Sequence, residues 1–386
     1  MSEDTGGDTG QAQFRHHRIV LKVGTNLLTS GGEQLDRTIM ESLVEQIAEV
    51  RSESCELILV TSGAIAAGRD RLNEVANLVL PQHLSRRQVL AAIGQGHLLS
   101  IWDELFASRS ITIAQALLAR ADLTDRQGYL NARNTLLALL DLDVVPVVNE
   151  NDVVSIEEIQ DSVIGDNDNL SAQVANLVDA DLLLILTDTA GLHTSDPRQD
   201  DSARLIEYVE RIDSTIEAVA AGQPGSRGTG GMKTKIEAAR LATQSGTHVV
   251  IADGHRSHVV RDAMLGYSVG TYFTPKTDRL ESRRRYLLSS LREHGTIVID
   301  EGAVRALMHK GRSLLPAGII DTSSAFERGH IVRIESRDGA HIASGTTNYA
   351  ATDVQRIQGL HSDRIEGILG YDYGDEIVHR NNLVLV

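Results

Sequence analysis

The chain has 386 residues, a formal net charge of -16 and only 3% aromatic residues. That length accommodates two or three domains, and the aliphatic bias predicts a core of Leu, Val, Ile and Ala in α/β layers rather than an aromatic-rich sandwich. The acidity works against nucleic acid and anionic membrane surfaces, so a site for an anionic ligand must concentrate its own lysines, backbone amides and metal.

Taken in order, residues 1–14 are acidic and rich in Gly and Thr, without an apolar core, so a disordered tail rather than a signal peptide is expected. Residues 19–23 read as a buried strand stopped by Gly24. Leu35, Ile39, Leu43, Ile47 and Val50 recur at helical spacing. Cys55, the sole cysteine, excludes an intramolecular disulfide and reads as a small buried residue before a strand at 57–60. A long helix is expected over 85–108, a strand at 111–114 and a helix at 129–140. A strand at 144–148 is broken by Asn149. The most apolar strand is 182–186, a helix follows Gly231, and a strand at 249–252 closes the series. Such alternation predicts a mainly parallel sheet with helices on both faces and ligands at the carboxyl ends of strands. After about residue 275 the pattern changes: residues 278–286 read as a linker or helix entry, and short segments such as 296–299 and 331–334 between Gly turns predict a small β-rich domain. Residues 291–386 carry ten Lys or Arg against thirteen Asp or Glu. No apolar run is long enough to span a bilayer, which points to reducing cytoplasm.

The polar residues cluster at strand ends and helix starts. Lys22 sits inside an apolar strand, so its ammonium must reach a partner at the strand end unless the strand edge is solvated. Gly24 next to it would let backbone amides approach a phosphate. The run from Val60 to Gly68 feeds a small-residue turn with Ser62, which is either a ligand-facing turn at a helix end or only a tight connection. Asn149 to Asp152 and Gly165 to Asn169 bring carboxylates and carboxamides that could bind an ammonium, hold Mg²⁺ or orient lysines. The second of these is not a calcium loop, because no Glu closes it. Thr187 and Asp188 follow the most apolar strand, a good place for an adenosine. The run Gly228 to Lys235 puts Lys233 and Lys235 at a helix N-terminus, where positive charge is unfavourable by itself and a polyphosphate would offset it. Without a Gly-Lys dipeptide it is not a Walker loop. Together the motifs fit phosphoryl transfer, where positioning and charge stabilisation dominate.

The strings LKVGTN, VTSGAIAAG, NEND, GDNDNLSA, LTDTAGL and TGGMKTK, with the C-terminal DEGA, SLLPAGI and LGYDYG, resemble the glutamate 5-kinases of the amino-acid kinase family over residues 15 to 380. The resemblance implies a three-layer αβα sandwich around an eight-stranded, mainly parallel sheet over 15–280, then a PUA domain over 291–386. It implies transfer of a phosphoryl group from ATP to the side-chain carboxylate of L-glutamate, the first step of proline synthesis. Lys22 and Lys235 would stabilise the transferring group, with Asp168 orienting them and Gly24 offering an amide. Ser62, Asp152 and Asn167 would hold glutamate. Lys22, Thr187, Asp188, Thr229, Gly230, Gly231, Met232, Lys233, Thr234 and Lys235 would bind ATP. Mg²⁺ would come with ATP, and no protein-held metal is expected. Proline would inhibit at a site overlapping glutamate, for which the polar segment 153–163 is a plausible place, and a homodimer or tetramer is implied. The competing readings are a related kinase for N-acetylglutamate, carbamate, aspartate or a nucleotide, and an RNA-binding role for the C-terminal domain. The acidic balance of that domain argues against the second.

Overall fold

A computed structural model of the protein describes residues 14–52, 55–73, 86–119, 122–123, 125–154, 167–223, 231–275, 294–323 and 325–385. Residues 1–13 of the expected tail, the stretch 278–286, most of the segment 153–163, and Thr229 and Gly230 lie outside them, while Phe14 is buried in the core. The chain divides into two compact units. One comprises the residues to 120 with 133–277, and the other comprises 121–132 with 278–386.

In chain order the first unit has strand β1 (Arg18–Val23), the short helix α1 (Thr25–Leu28), α2 (Arg37–Arg51), β2 (Glu56–Thr61), α3 (Ala64–Asn73), α4 (Arg86–Ala107) and β3 (Ile113–Leu118). Helix α5 (Arg126–Asp141) begins among residues grouped with the second unit. Then come β4 (Val145–Glu150), α6 (Asn167–Leu177), β5 (Leu182–Thr187), β6 (Tyr208–Val209), α7 (Ser214–Ala221), α8 (Met232–Gln244), β7 (His248–Asp253), α9 (Val259–Leu265) and β8 (Gly270–Phe273). Among the described residues these strands make one eight-stranded sheet in the order β3-β4-β2-β1-β5-β7-β8-β6. The pairs from β3 to β7 are parallel, and β7 meets β8 antiparallel.

Two sequence expectations change. The strand at 249–252 does not close the series, because β8 follows it and β6 pairs with β8; both are too short to show a period in sequence. Asn149 does not break β4, since Leu117 pairs with Asn149 and Leu118 with Glu150 in the ladder to β3. The Asn149 side chain bonds to Gln95 and Asn167 as well as to the Glu150 N–H, and its backbone stays in the ladder.

Strands β1 and β5 are buried along nearly their whole length, as a sheet covered on both faces requires. Ile19, Leu21 and Val23 join one core with Leu43, Ile47 and Val50 of α2, Leu98 and Trp102 of α4, and Val259 and Val260 of α9. Strand alternation sends Lys22 to the opposite face, where α6 lies against β1, β2, β4 and β5, and α8 against α6 and β7. Asp36 caps α2 by accepting from the backbone N–H groups of Thr38 and Ile39. Helices α3 and α4 cross at near backbone contact. A Cβ on Gly94 would come within 1.8 Å of the Ala64 carbonyl oxygen, and one on Gly68 within 2.0 Å of the Leu90 oxygen.

The second unit holds β9 (Gly295–Ile299), α10 (Glu301–Lys310), β10 (Ile319–Ser323), β11 (Ile331–Ser336), β12 (His341–Thr346), α11 (Ala351–Ile357), α12 (Ile365–Leu369) and β13 (Leu383–Leu385). Its sheet runs β10-β9-β11-β12-β13, around a core that includes Ile297, Phe326, Ile334, Tyr349, Val354 and Val378. This is the expected β-rich C-terminal domain. No helix among the described residues is long and apolar enough to cross a membrane.

The crossing predicts opposite outcomes for two glycines of one helix. Gly94→Ala forces the helices apart and should cost about 1–3 kcal/mol. Gly96→Ala, with nothing within 4 Å of its Cβ, should gain up to about 1 kcal/mol from helix propensity. Urea unfolding of the two variants measures both, and equal effects would contradict the close crossing.

Candidate functional site

Three elements converge on one carboxylate. Lys22 pairs in register with Val60 of β2 and Ile185 of β5, so it stands in the middle of the sheet, and its ammonium lies 2.5 Å from Asp168 Oδ1. Gly24 leaves room for that head: a Cβ there would lie 3.3 Å from Lys22 Nζ. Asp168 occupies the first turn of α6, where the helix dipole favours a carboxylate. From α8, Lys235 Nζ approaches Asp168 Oδ2 at 3.2 Å, and Thr234 Oγ1 donates to the same oxygen at 2.7 Å. Lys22, Asp168 and Lys235 are 5%, 2% and 8% exposed.

Burial alone would push the Asp168 carboxyl up. The Lys22 and Lys235 ammonium groups, with hydrogen bonds from Lys22 and Thr234, overcome that and hold it well below the usual carboxylate range. Two cations and one anion sum to a single positive charge in a nearly dry setting. Such a trio favours a further anion.

Asn167, the residue before Asp168, turns to a second cluster. Its amide nitrogen donates to Ser62 Oγ at 2.9 Å, Asn149 Oδ1 at 3.1 Å and the Thr61 carbonyl at 3.2 Å. Ser62 stands in the turn between β2 and α3, tied to β1 by its N–H bond to the Val23 carbonyl. Gly63 makes that turn possible with a φ of 104°, between Leu28 and Leu35. Asp152 follows β4. Burial, then the Glu150 carboxylate, push its carboxyl up to about 6, against the opposing Arg87.

The structure therefore brings Lys22, Asp168, Thr234 and Lys235 together, and joins Ser62 and Asn167 to them through the Asn167–Asp168 step. Thr187 ends β5, and its hydroxyl donates to Asp188 Oδ1 at 3.1 Å. Gly231 caps α8 without a side-chain hydrogen bond, Met232 is buried, and Thr234 Oγ1 also donates to the Gly231 carbonyl. Lys233 is not drawn in: it is exposed and lies 3.9 Å from Glu237 of its own helix. Sequence reading gave Asn149 no separate role and passed over Gln95 of α4, whose Oε1 accepts from Asn149 Nδ2 at 2.7 Å. Asn149 was visible within its acidic motif. Gln95 sits in a long helix with no local signal.

The amino acid kinase family profile matches residues 17–253, and the PUA domain profile residues 295–369. A glutamate 5-kinase from Dehalococcoides mccartyi is 49% identical over 371 residues, which is 96% of this chain and 99% of that protein. One from Shewanella oneidensis is 46% identical over 375 residues (97% and 99%), and one from Herpetosiphon aurantiacus 47% over 369 (96% and 98%). The chain belongs to the amino acid kinase family, among the glutamate 5-kinases, and carries a C-terminal PUA domain.

If Asp168 is what reconciles the two lysines, Asp168→Asn should cost about 3–5 kcal/mol at neutral pH by leaving buried ammonium groups uncompensated. Because the folded-state value lies below the unfolded one, near 3.9, this contribution is present above about pH 4 and fades as the medium becomes more acidic. Denaturant midpoints of wild type and variant across that range test it. A constant gap down to strong acid would refute the assignment.

Proposed function

We propose that this chain transfers the γ-phosphoryl group of ATP to the side-chain carboxylate of L-glutamate, giving L-glutamyl 5-phosphate, the first step of proline synthesis. The observation that carries the reading is the buried Lys22–Asp168–Lys235 trio at the carboxyl end of β1, next to the Ser62–Asn167 cluster. It is supported by relatives named glutamate 5-kinase along nearly the whole chain.

In this reading the two lysines neutralise charge spread over the equatorial oxygens of the transferring group, and Asp168 holds them at a fixed separation without competing as an acceptor. The Gly24 amide and the uncapped start of α8 add donors. Glutamate lies with its ammonium toward Asp152 and the Asn167 oxygen and its γ-carboxylate toward the lysines. Thr187, Asp188 and residues 229–235 hold the nucleotide. Mg²⁺ enters with ATP, since a magnesium bound mainly through phosphates and water needs few protein ligands. Proline inhibits at a site overlapping glutamate, the enzyme works as a homodimer or tetramer in the cytoplasm, and the kinase and PUA domains extend over 15–280 and 291–386. These points rest on the family resemblance.

Lys235→Ala should lower kcat about a hundredfold or more while the fold persists, as loss of one charge-stabilising donor does. Near-normal turnover of glutamate in that variant would remove the central assignment. Asp152 supplies a pH signature, because a protonated carboxyl cannot hold an ammonium. kcat/KM for glutamate should fall about tenfold per pH unit below about 6. In Asp152→Asn that acid limb should vanish and KM for glutamate should rise far more than KM for ATP. An unchanged limb would assign the titration to another group.

A further inference from the structure

Thr234 belongs to the run assigned to the nucleotide, yet its side chain is turned into the trio. It is 4% exposed, and its Oγ1 lies 2.7 Å from Asp168 Oδ2 and 3.0 Å from the Gly231 carbonyl. A hydroxyl carries one hydrogen, so only one of these acceptors takes it. The ionised carboxylate is both nearer and stronger as an acceptor. The Gly231 carbonyl stands at the N-cap of α8, where the first bond of the helix already serves it. The hydrogen therefore goes to Oδ2. Lys235, the next residue, approaches the same oxygen at 3.2 Å, outside the roughly 2.7–2.9 Å of a tight ammonium–carboxylate bond. Lys22, by contrast, stands 2.5 Å from Oδ1. The two oxygens of one carboxylate thus hold their lysines differently, and the one with the looser lysine is the one that Thr234 shares.

We infer that Thr234 is a positioning residue acting through Lys235: its hydroxyl satisfies Asp168 Oδ2, so that the Lys235 ammonium stays available to the transferring phosphoryl group. This rests on the reading that Lys235 meets that group. Asp168 is 2% exposed, so bulk water does not make up for a lost donor. Without the hydroxyl, Oδ2 turns to Lys235, and the ion pair tightens in surroundings that screen it weakly. Whatever that pair gains before reaction is given up again as Lys235 turns toward the charge on the phosphoryl oxygens. The barrier rises while substrate binding is little changed. With the hydroxyl in place, Oδ2 keeps a donor at every stage.

The test is steady-state kinetics of the full chain with L-glutamate and ATP varied separately, arranged as a double-mutant cycle with Lys235→Ala. Thr234→Val has nearly the same shape without the hydroxyl. It should lower kcat about ten- to hundredfold, the range for a lost hydrogen bond to a charged group. KM for ATP and KM for glutamate should each stay within about threefold. Thr234→Ser keeps the donor and should return kcat to within about threefold of wild type. In the Lys235→Ala background the change Thr234→Val should cost less than about threefold, because the residue it acts through is gone. A full loss in that background, a loss in Thr234→Ser as large as in Thr234→Val, or an unchanged kcat in Thr234→Val each overturn the proposal. So does a rise in KM for ATP at constant kcat, which makes the hydroxyl a nucleotide ligand. Should Thr234→Val not fold, Thr234→Ala removes the same hydroxyl and is read in the same two backgrounds with the same outcomes. A wild-type enzyme that does not phosphorylate glutamate fails the substrate assignment, and near-normal turnover in Lys235→Ala fails the reading of Lys235. Neither result coincides with an outcome of the Thr234 variants.

Discussion

One carboxylate holds two buried ammonium groups, and the architecture of the first unit follows from that demand. Neither lysine could stay buried alone, because a dehydrated charge without a partner costs several kcal/mol. Lys22 comes from the carboxyl end of the central strand and Lys235 from the start of a helix far along the chain. Asp168 can meet both only if α6 and α8 lie on the same face of the sheet with their first turns at the carboxyl end of β1. The opposite face of β1 can then be purely aliphatic, and it is: Ile19, Leu21 and Val23 pack on α2, α4 and α9. The alternation of a single strand thus separates a structural face from a chemical one.

The step from Asn167 to Asp168 carries a second consequence. Consecutive helical residues point about 100° apart, so the first turn of α6 sends one side chain toward Ser62 and Asn149 and the next toward the lysines. The groups assigned to the amino acid and those assigned to the phosphoryl group are therefore spaced by backbone geometry rather than by flexible contacts. Ser62 adds to this rigidity, since its turn is tied to β1 through the Val23 carbonyl and forced by the positive φ of Gly63. A shift of α6 would disturb both clusters together.

What the sequence made legible was charge out of place. A lysine in an apolar strand and lysines at a helix start announce themselves, because each violates a local preference that only a partner can offset. The strand-helix alternation was equally visible, although β6 and β8 were too short to register. Sequence could not separate Lys233 from Lys235: two residues apart on a helix, they point to nearly opposite sides, and only packing against α6 decides which is buried. Asn149 reads as a strand breaker because its side chain competes for the local backbone, and it does accept from the Glu150 N–H, yet its bonds to Gln95 and Asn167 across the fold hold it in the strand. Gln95 had no signal, since a glutamine in a long helix is ordinary on any solvated face, and its meaning depends on the glycine crossing beneath it.

The acidic composition and the positive centre are compatible because they act over different distances and media. Surface charges are screened within about 8 Å at physiological salt, so most of the -16 affects solubility and the rate of encounter with an anionic ligand. Lys22, Asp168 and Lys235 sit where water is nearly absent and screening is weak, so one excess positive charge there outweighs many negative charges on the surface. An acidic chain can therefore hold polyphosphate without a basic surface, provided its few cations are buried, oriented and one more in number than the carboxylate between them. That arithmetic also explains why a single aspartate suffices. A second carboxylate in the trio would cancel the excess, and none at all would leave the lysines without the partner that keeps them folded in.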